Sequence, residues 1–95
     1  MNPDFLRTLE AIIDDRRNAE PEGSYTARLF EAGVRRIAQK VGEEGVELAL
    51  AAVDGDRGEV IEEAADLVYH LLVLLRSRDV PLGEVVDALE SRHSN

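Results

Sequence analysis

Glu44 and Glu47, and again Glu63 and Asp66, are carboxylate pairs spaced three residues apart. Residues at that spacing share one face of a helix. The pairs flank Gly55, and Glu47 and Glu63 stand equally far from it. So do Glu44 and Asp66, and so do Lys40 and His70. A chain folded back at Gly55 therefore brings four carboxylates to one level. Such a group repels itself unless a hard cation sits among the oxygens, and an oxygen-only set suits Mg²⁺ or Mn²⁺. One such pair alone is an ordinary solvated helix face. Two at matched levels, joined by a short turn, point to a cation site.

The elements that must position these residues read as helices. Asn2-Pro3-Asp4 is a helix start, followed by Phe5, Leu6, Leu9, Ile12 and Ile13 at helical spacing. Pro21-Glu22-Gly23 is a loop, and Ser24 is placed to cap a short helix through Thr26–Ala32. Gly33 breaks or bends it. The next helix runs from about Val34 to Ala52, with Ile37, Val41, Leu48 and Ala52 on its apolar side; Gly42 and Gly45 weaken it locally. Asp54-Gly55-Asp56 is the turn, and Asp56 with Glu59 has capping-box spacing for a helix that reaches about Arg78. That helix is apolar nearly all round after Val68, so its burial calls for a partner subunit. Asp79-Val80-Pro81 ends it, and a last helix covers about Leu82–Arg92. The expectation is one all-α domain over residues 1–95: a helical hairpin-based bundle completed by homo-oligomerisation, with a dimer as the minimum unit.

Composition narrows the function. The net charge of −9 argues against a nucleic-acid or membrane-surface binder. It leaves room for an anionic substrate, because a bound cation and a few basic groups reverse the field in one cleft. The absence of Cys excludes disulfides, thiolate metal sites and a cysteine nucleophile. Asp4, Arg7 and Glu10 interrupt any apolar leader, and the longest apolar stretch, Leu71–Leu75, is too short to span a bilayer. A cytoplasmic protein is the reading.

Around the hairpin, Lys40, Glu44 and Glu47 fall in one arc with Glu43 at its edge. Glu59, Glu63, Asp66 and His70 form the facing arc, flanked by Glu62. Lys40, the only lysine, either binds a phosphate oxygen or simply pairs with Glu44 one turn on. Arg36 extends that cationic end. His70 is level with Lys40 and either contacts a carboxylate, touches substrate, or sits satisfied in the core. Tyr69 reads as packing, and Arg16-Arg17 as a solvated helix end.

Glu43-Glu44-x-x-Glu47 followed by Glu63-x-x-Asp66 resembles the signature of the all-α nucleoside triphosphate pyrophosphohydrolases of the MazG-like superfamily. Gly23-Ser24-Tyr25-Thr26 and Tyr69-His70-Leu71-Leu72 make the sequence more similar to the phosphoribosyl-ATP pyrophosphohydrolases, over roughly Phe5 to Leu89. Many members of that family are fused to a cyclohydrolase, and this sequence resembles the stand-alone form. The resemblance implies that Glu44, Glu47, Glu63 and Asp66 bind Mg²⁺. It implies cleavage between the α and β phosphates of phosphoribosyl-ATP, giving phosphoribosyl-AMP and pyrophosphate in the second step of histidine biosynthesis. Glu43 or Glu44 is the candidate proton acceptor, and sequence does not separate that role from cation binding. Lys40, Tyr25, Thr26, Arg28, Arg36 and His70 are the candidate substrate contacts. Two other readings stay open: a house-cleaning hydrolase of nucleoside triphosphates with the same cation site, and a non-enzymatic acidic helical adaptor.

Overall fold

The computed structural model describes residues 4–94, and among these every regular element is helical. Helix α1 spans Phe5–Arg16, a short 3₁₀ turn Pro21–Gly23, α2 Tyr25–Ala32, α3 Val34–Asp54, α4 Arg57–Ser77 and α5 Leu82–His93. The helix start expected at Asn2-Pro3 lies outside the described residues.

Local chemistry sets the boundaries. Ser24 Oγ accepts a hydrogen bond from Ala27 N at 3.1 Å, capping α2. Gly33, at φ 99, separates α2 from α3 in a conformation that favours glycine. α3 runs on to Asp54, slightly past the expected end. The reversal that follows is tight: a side chain at Gly55 would lie 2.9 Å from the Ala51 carbonyl oxygen. Asp56 then caps α4 by accepting from Glu59 N at 2.9 Å. α4 closes with Asp79 at φ 58, while Val80 N donates to Leu75 O at 2.9 Å and Asp79 N to Arg76 O at 3.0 Å. That is the Schellman arrangement. α5 begins after Pro81, which has no capping side chain. Glu10 of α1 serves instead, its Oε2 accepting from Leu82 N at 2.7 Å.

α3 and α4 pack along each other as the central hairpin, and α1 and α2 lie across it. The core, Ile13, Leu29, Ile37, Leu72 and Val73, sits at the crossing, ringed by Leu9, Phe30, Tyr69, Leu74 and Leu82. Each large aliphatic side chain buried there contributes about 1.5–3 kcal/mol. Beyond the crossing the hairpin is thinly covered: Ala51 is its buried apolar residue, and Ala52, expected inward, is exposed. α3 buries Ile37, Glu44 and Ala51, a seven-residue recurrence that defines its seam against α4.

Arg17 departs from the expected solvated helix end. Its Nη1 donates to Arg76 O at 3.0 Å and to Asp79 Oδ1 at 3.2 Å, and its guanidinium lies 5.1 Å from the Phe30 ring centre. It therefore satisfies a carbonyl at the α4 C-terminus and ties α1 to it. Arg17→Met is expected to destabilise the fold by about 1.5 kcal/mol, mostly through the charged hydrogen bond rather than the exposed ion pair. Thermal unfolding checks this, and an unchanged Tm returns Arg17 to solvent.

Candidate active site

Midway along the hairpin, α3 offers Lys40, Glu43, Glu44 and Glu47, and α4 offers Glu63, Asp66 and His70. One carboxylate oxygen each from Glu44, Glu63 and Asp66 lies within 4.8 Å of the other two. Oxygens sharing one Mg²⁺ at about 2.1 Å stand roughly 3–4 Å apart, so a small contraction closes this set on a cation. Glu44 is only 7% exposed. Glu44 Oε2 and Glu63 Oε2 are both buried without a hydrogen-bond partner among the described residues. A buried anionic oxygen without a donor is costly. Two of them beside a third carboxylate form an oxygen-only set of the kind that suits a hard cation.

Glu47 is not in this trio. Its carboxylate is exposed and lines, with Glu63, Asp54 and Glu59, an adjoining cleft of about 480 Å³ that reaches the Gly55 turn. Lying three residues past Glu44, it falls off the seam of α3 on the open side.

On the other side of the trio, Lys40 Nζ stands 3.4 Å from Glu44 Oε1 and 3.5 Å from Glu43 Oε1. Burial works against its charge, but the hydrogen bond to Glu44 and the surrounding negative groups prevail and raise its pKa above the ordinary value. Gln39, which the sequence reading passed over, donates to Glu43 Oε2 at 3.0 Å. That bond, aided by Lys40 against some desolvation, holds Glu43 below the ordinary carboxylate range. The four-residue spacing from Gln39 to Glu43 was the available signal. Arg36 is exposed one turn before Lys40, close enough to favour the charged form of Glu43.

α2 closes the far end. Tyr25 OH and His70 Nε2 are 2.9 Å apart, His70 Nδ1 is 2.7 Å from the Asp66 carbonyl oxygen, and Thr26 Oγ1 bonds the Tyr69 hydroxyl. His70 thus meets a backbone carbonyl rather than a carboxylate. Tyr25 stacks on Tyr69, with ring centres 6.2 Å apart. Desolvation, partly opposed by the Thr26 bond, raises the Tyr69 phenol above its usual pKa. Tyr69 packs against the core as expected, but it also anchors α2. Thr26 is buried, so its hydroxyl is committed to that anchor. Arg28 Nη1 donates to Pro21 O at 2.8 Å, and its guanidinium lies 5.8 Å from the Tyr25 ring centre.

This arrangement of paired helical acids agrees with a comparison against protein families. The family model described as phosphoribosyl-ATP pyrophosphohydrolase matches residues 6–93. The chain belongs to the phosphoribosyl-ATP pyrophosphohydrolase family. Curated relatives named "Histidine biosynthesis bifunctional protein HisIE" agree with that placement. The protein of Xanthomonas campestris pv. campestris is 60% identical over 89 residues, covering 94% of this chain and 43% of the relative. That of Photobacterium profundum is 52% identical over 90 residues, covering 95% and 44%. That of Vibrio cholerae is 54% identical over 89 residues, covering 94% and 42%. The chain thus spans less than half the length of these curated relatives. Among the described residues, no helix is long and apolar enough to cross a membrane.

Proposed function

We propose that this chain, acting as one domain, hydrolyses the α–β phosphoanhydride of phosphoribosyl-ATP to phosphoribosyl-AMP and pyrophosphate, the second step of histidine biosynthesis, in the cytoplasm. The observation that carries the reading is the pair of unpartnered buried oxygens on Glu44 and Glu63, beside Asp66, in a chain of this family. Glu44, Glu63 and Asp66 hold Mg²⁺, and Glu47 completes the set from the edge of the cleft. When bound, such a cation neutralises phosphate charge and acidifies water. Lys40 supplies a point charge for a phosphate oxygen, kept in place by Glu43 and Glu44. Gln39 and Lys40 hold Glu43 at the edge of the site, and Glu43 or Glu44 accepts the proton of the attacking water. Arg36 and Arg28 extend the cationic rim, and Tyr25 forms the nucleotide side, with buried Thr26 anchoring α2 behind it. Pyrophosphate release from phosphoribosyl-ATP, ATP and dCTP, each with and without Mg²⁺, tests the reading. Strong, Mg²⁺-dependent preference for phosphoribosyl-ATP is expected; equal or greater turnover of ATP or dCTP contradicts it.

Lys40→Met separates substrate binding from cation binding. The loss of a charge-assisted bond of about 1.5–3 kcal/mol corresponds to a roughly ten- to hundred-fold fall in kcat/KM. Mg²⁺ affinity, measured by calorimetry, is expected to hold or tighten, because a positive charge leaves the trio. Unchanged kcat/KM makes Lys40 a mere ion-pair partner of Glu44.

The working unit is a homodimer or larger. The accessible surface is 6777 Å², whereas a folded monomer of this size exposes about 5,400 Å². The Cα radius of gyration is 14.5 Å against about 12 Å for a compact chain of this length. Part of that surface lies in apolar stripes along the hairpin: Val46, Leu50 and Val53 on α3, and Ile61, Val68 and Leu71 on α4. A second copy laid along the hairpin covers them.

A further inference from the structure

Tyr25 is the exposed end of a hydrogen-bonded chain whose direction is fixed at its buried end. The Asp66 carbonyl can only accept, so His70 Nδ1 carries the proton of the 2.7 Å bond. In the neutral ring Nε2 is then an acceptor, and the Tyr25 hydroxyl donates to it across 2.9 Å. His70 is 5% exposed and both ring nitrogens are engaged, so it has no free group for substrate. Tyr25 is 43% exposed, and its ring meets the His70 ring edge-on with centres 5.8 Å apart. The hydroxyl proton is committed inward, which leaves the remaining lone pairs of this oxygen as acceptors on a half-exposed residue. An oxygen in that state repels phosphate and accepts from a neutral O–H. The nearest such donor on a nucleotide held by its phosphates is a sugar hydroxyl.

We infer that Tyr25 is a specificity residue that accepts a hydrogen bond from a ribose hydroxyl of the nucleotide, and that His70 is the positioning residue that fixes its direction. The inference deepens the proposed function and rests on a nucleotide occupying this site. It makes the short α2 helix the reader of the sugar, pinned by Tyr25–His70 and Thr26–Tyr69 to the same stretch of α4 that carries Asp66.

Calorimetric binding of AMP, 2′-deoxy-AMP and 3′-deoxy-AMP in Mg²⁺ tests this without requiring turnover. The parent protein is expected to favour AMP over one of the deoxy forms by about ten-fold, the effect of one hydrogen bond. Tyr25→Phe, which keeps the ring, is expected to remove the preference with little change in Tm. His70→Leu is expected to remove it as well, His70→Gln to restore part of it, and Tyr25→Phe combined with His70→Leu to lose no more than either alone. No preference in the parent, or a preference that survives Tyr25→Phe, overturns the inference. Hydrolysis of phosphoribosyl-ATP measured in parallel keeps the two ideas apart. Sugar discrimination without hydrolysis supports the Tyr25 role and removes the proposed reaction; hydrolysis without discrimination does the reverse.

Discussion

Glu63→Gln is expected to abolish pyrophosphate release from phosphoribosyl-ATP while leaving the cation-free protein as stable as its parent, or more so. The change keeps shape and removes one negative charge from a group in which Glu44, Glu63 and Asp66 oxygens lie within 4.8 Å of each other. Without a cation that proximity is repulsive. The Glu63 oxygen concerned is buried and unpartnered, so an amide there loses no protein hydrogen bond. On the proposed reading, the same change removes a charged ligand from the cation that would hold the substrate's phosphates. Activity assays and thermal melts in chelator on one preparation check both halves. A variant that is inactive only because it unfolds would show a lowered Tm in chelator, which contradicts this account.

Ile61→Glu is expected to dissociate the oligomer and lower stability. Ile61 is 53% exposed in the single chain, where such a substitution would ordinarily be near neutral. If the α3 and α4 stripes are covered by a second copy, the new charge is buried without a partner, at a cost of several kcal/mol. Sedimentation or light scattering is expected to give a dimer or larger for the parent and a smaller, less stable species for the variant. A parent that is a well-folded monomer at micromolar concentration refutes the oligomer.

The hairpin and most of its site were legible in the sequence, because both depend on local rules. Asp56 and Glu59 announced the start of α4, Gly55 the reversal, and the three-residue spacings put Glu44, Glu63 and Asp66 on facing sides. Glu47 was harder. Placing the four acids at one level assumes that both members of each pair face the seam equally, whereas α3 meets α4 along Ile37, Glu44 and Ala51. The bonds that fix α1, α2 and α5 were not legible at all. Glu10 to Leu82 N, Arg17 to Arg76 O and Thr26 to Tyr69 join residues more than forty positions apart. Each forms only because the helices already cross, and no local spacing encodes it. His70 shows the same limit from another side. Its position beside the acids was readable, but its bond to a backbone carbonyl depends on a rotamer that only the packed helix fixes.

Mg²⁺ titration of chelator-treated protein, followed by Tm and calorimetry with Glu63→Gln alongside, tests most directly the claim that this trio is a cation site. A ligand at a hundred times its Kd stabilises the folded state by about 2.7 kcal/mol, and each kcal/mol moves Tm by about 4–8 °C in a domain of this size. The parent is therefore expected to bind Mg²⁺ and gain roughly 10 °C or more, with the gain lost in Glu63→Gln. A parent whose Tm does not respond to Mg²⁺ or Mn²⁺, or a variant that binds as tightly as the parent, contradicts the account.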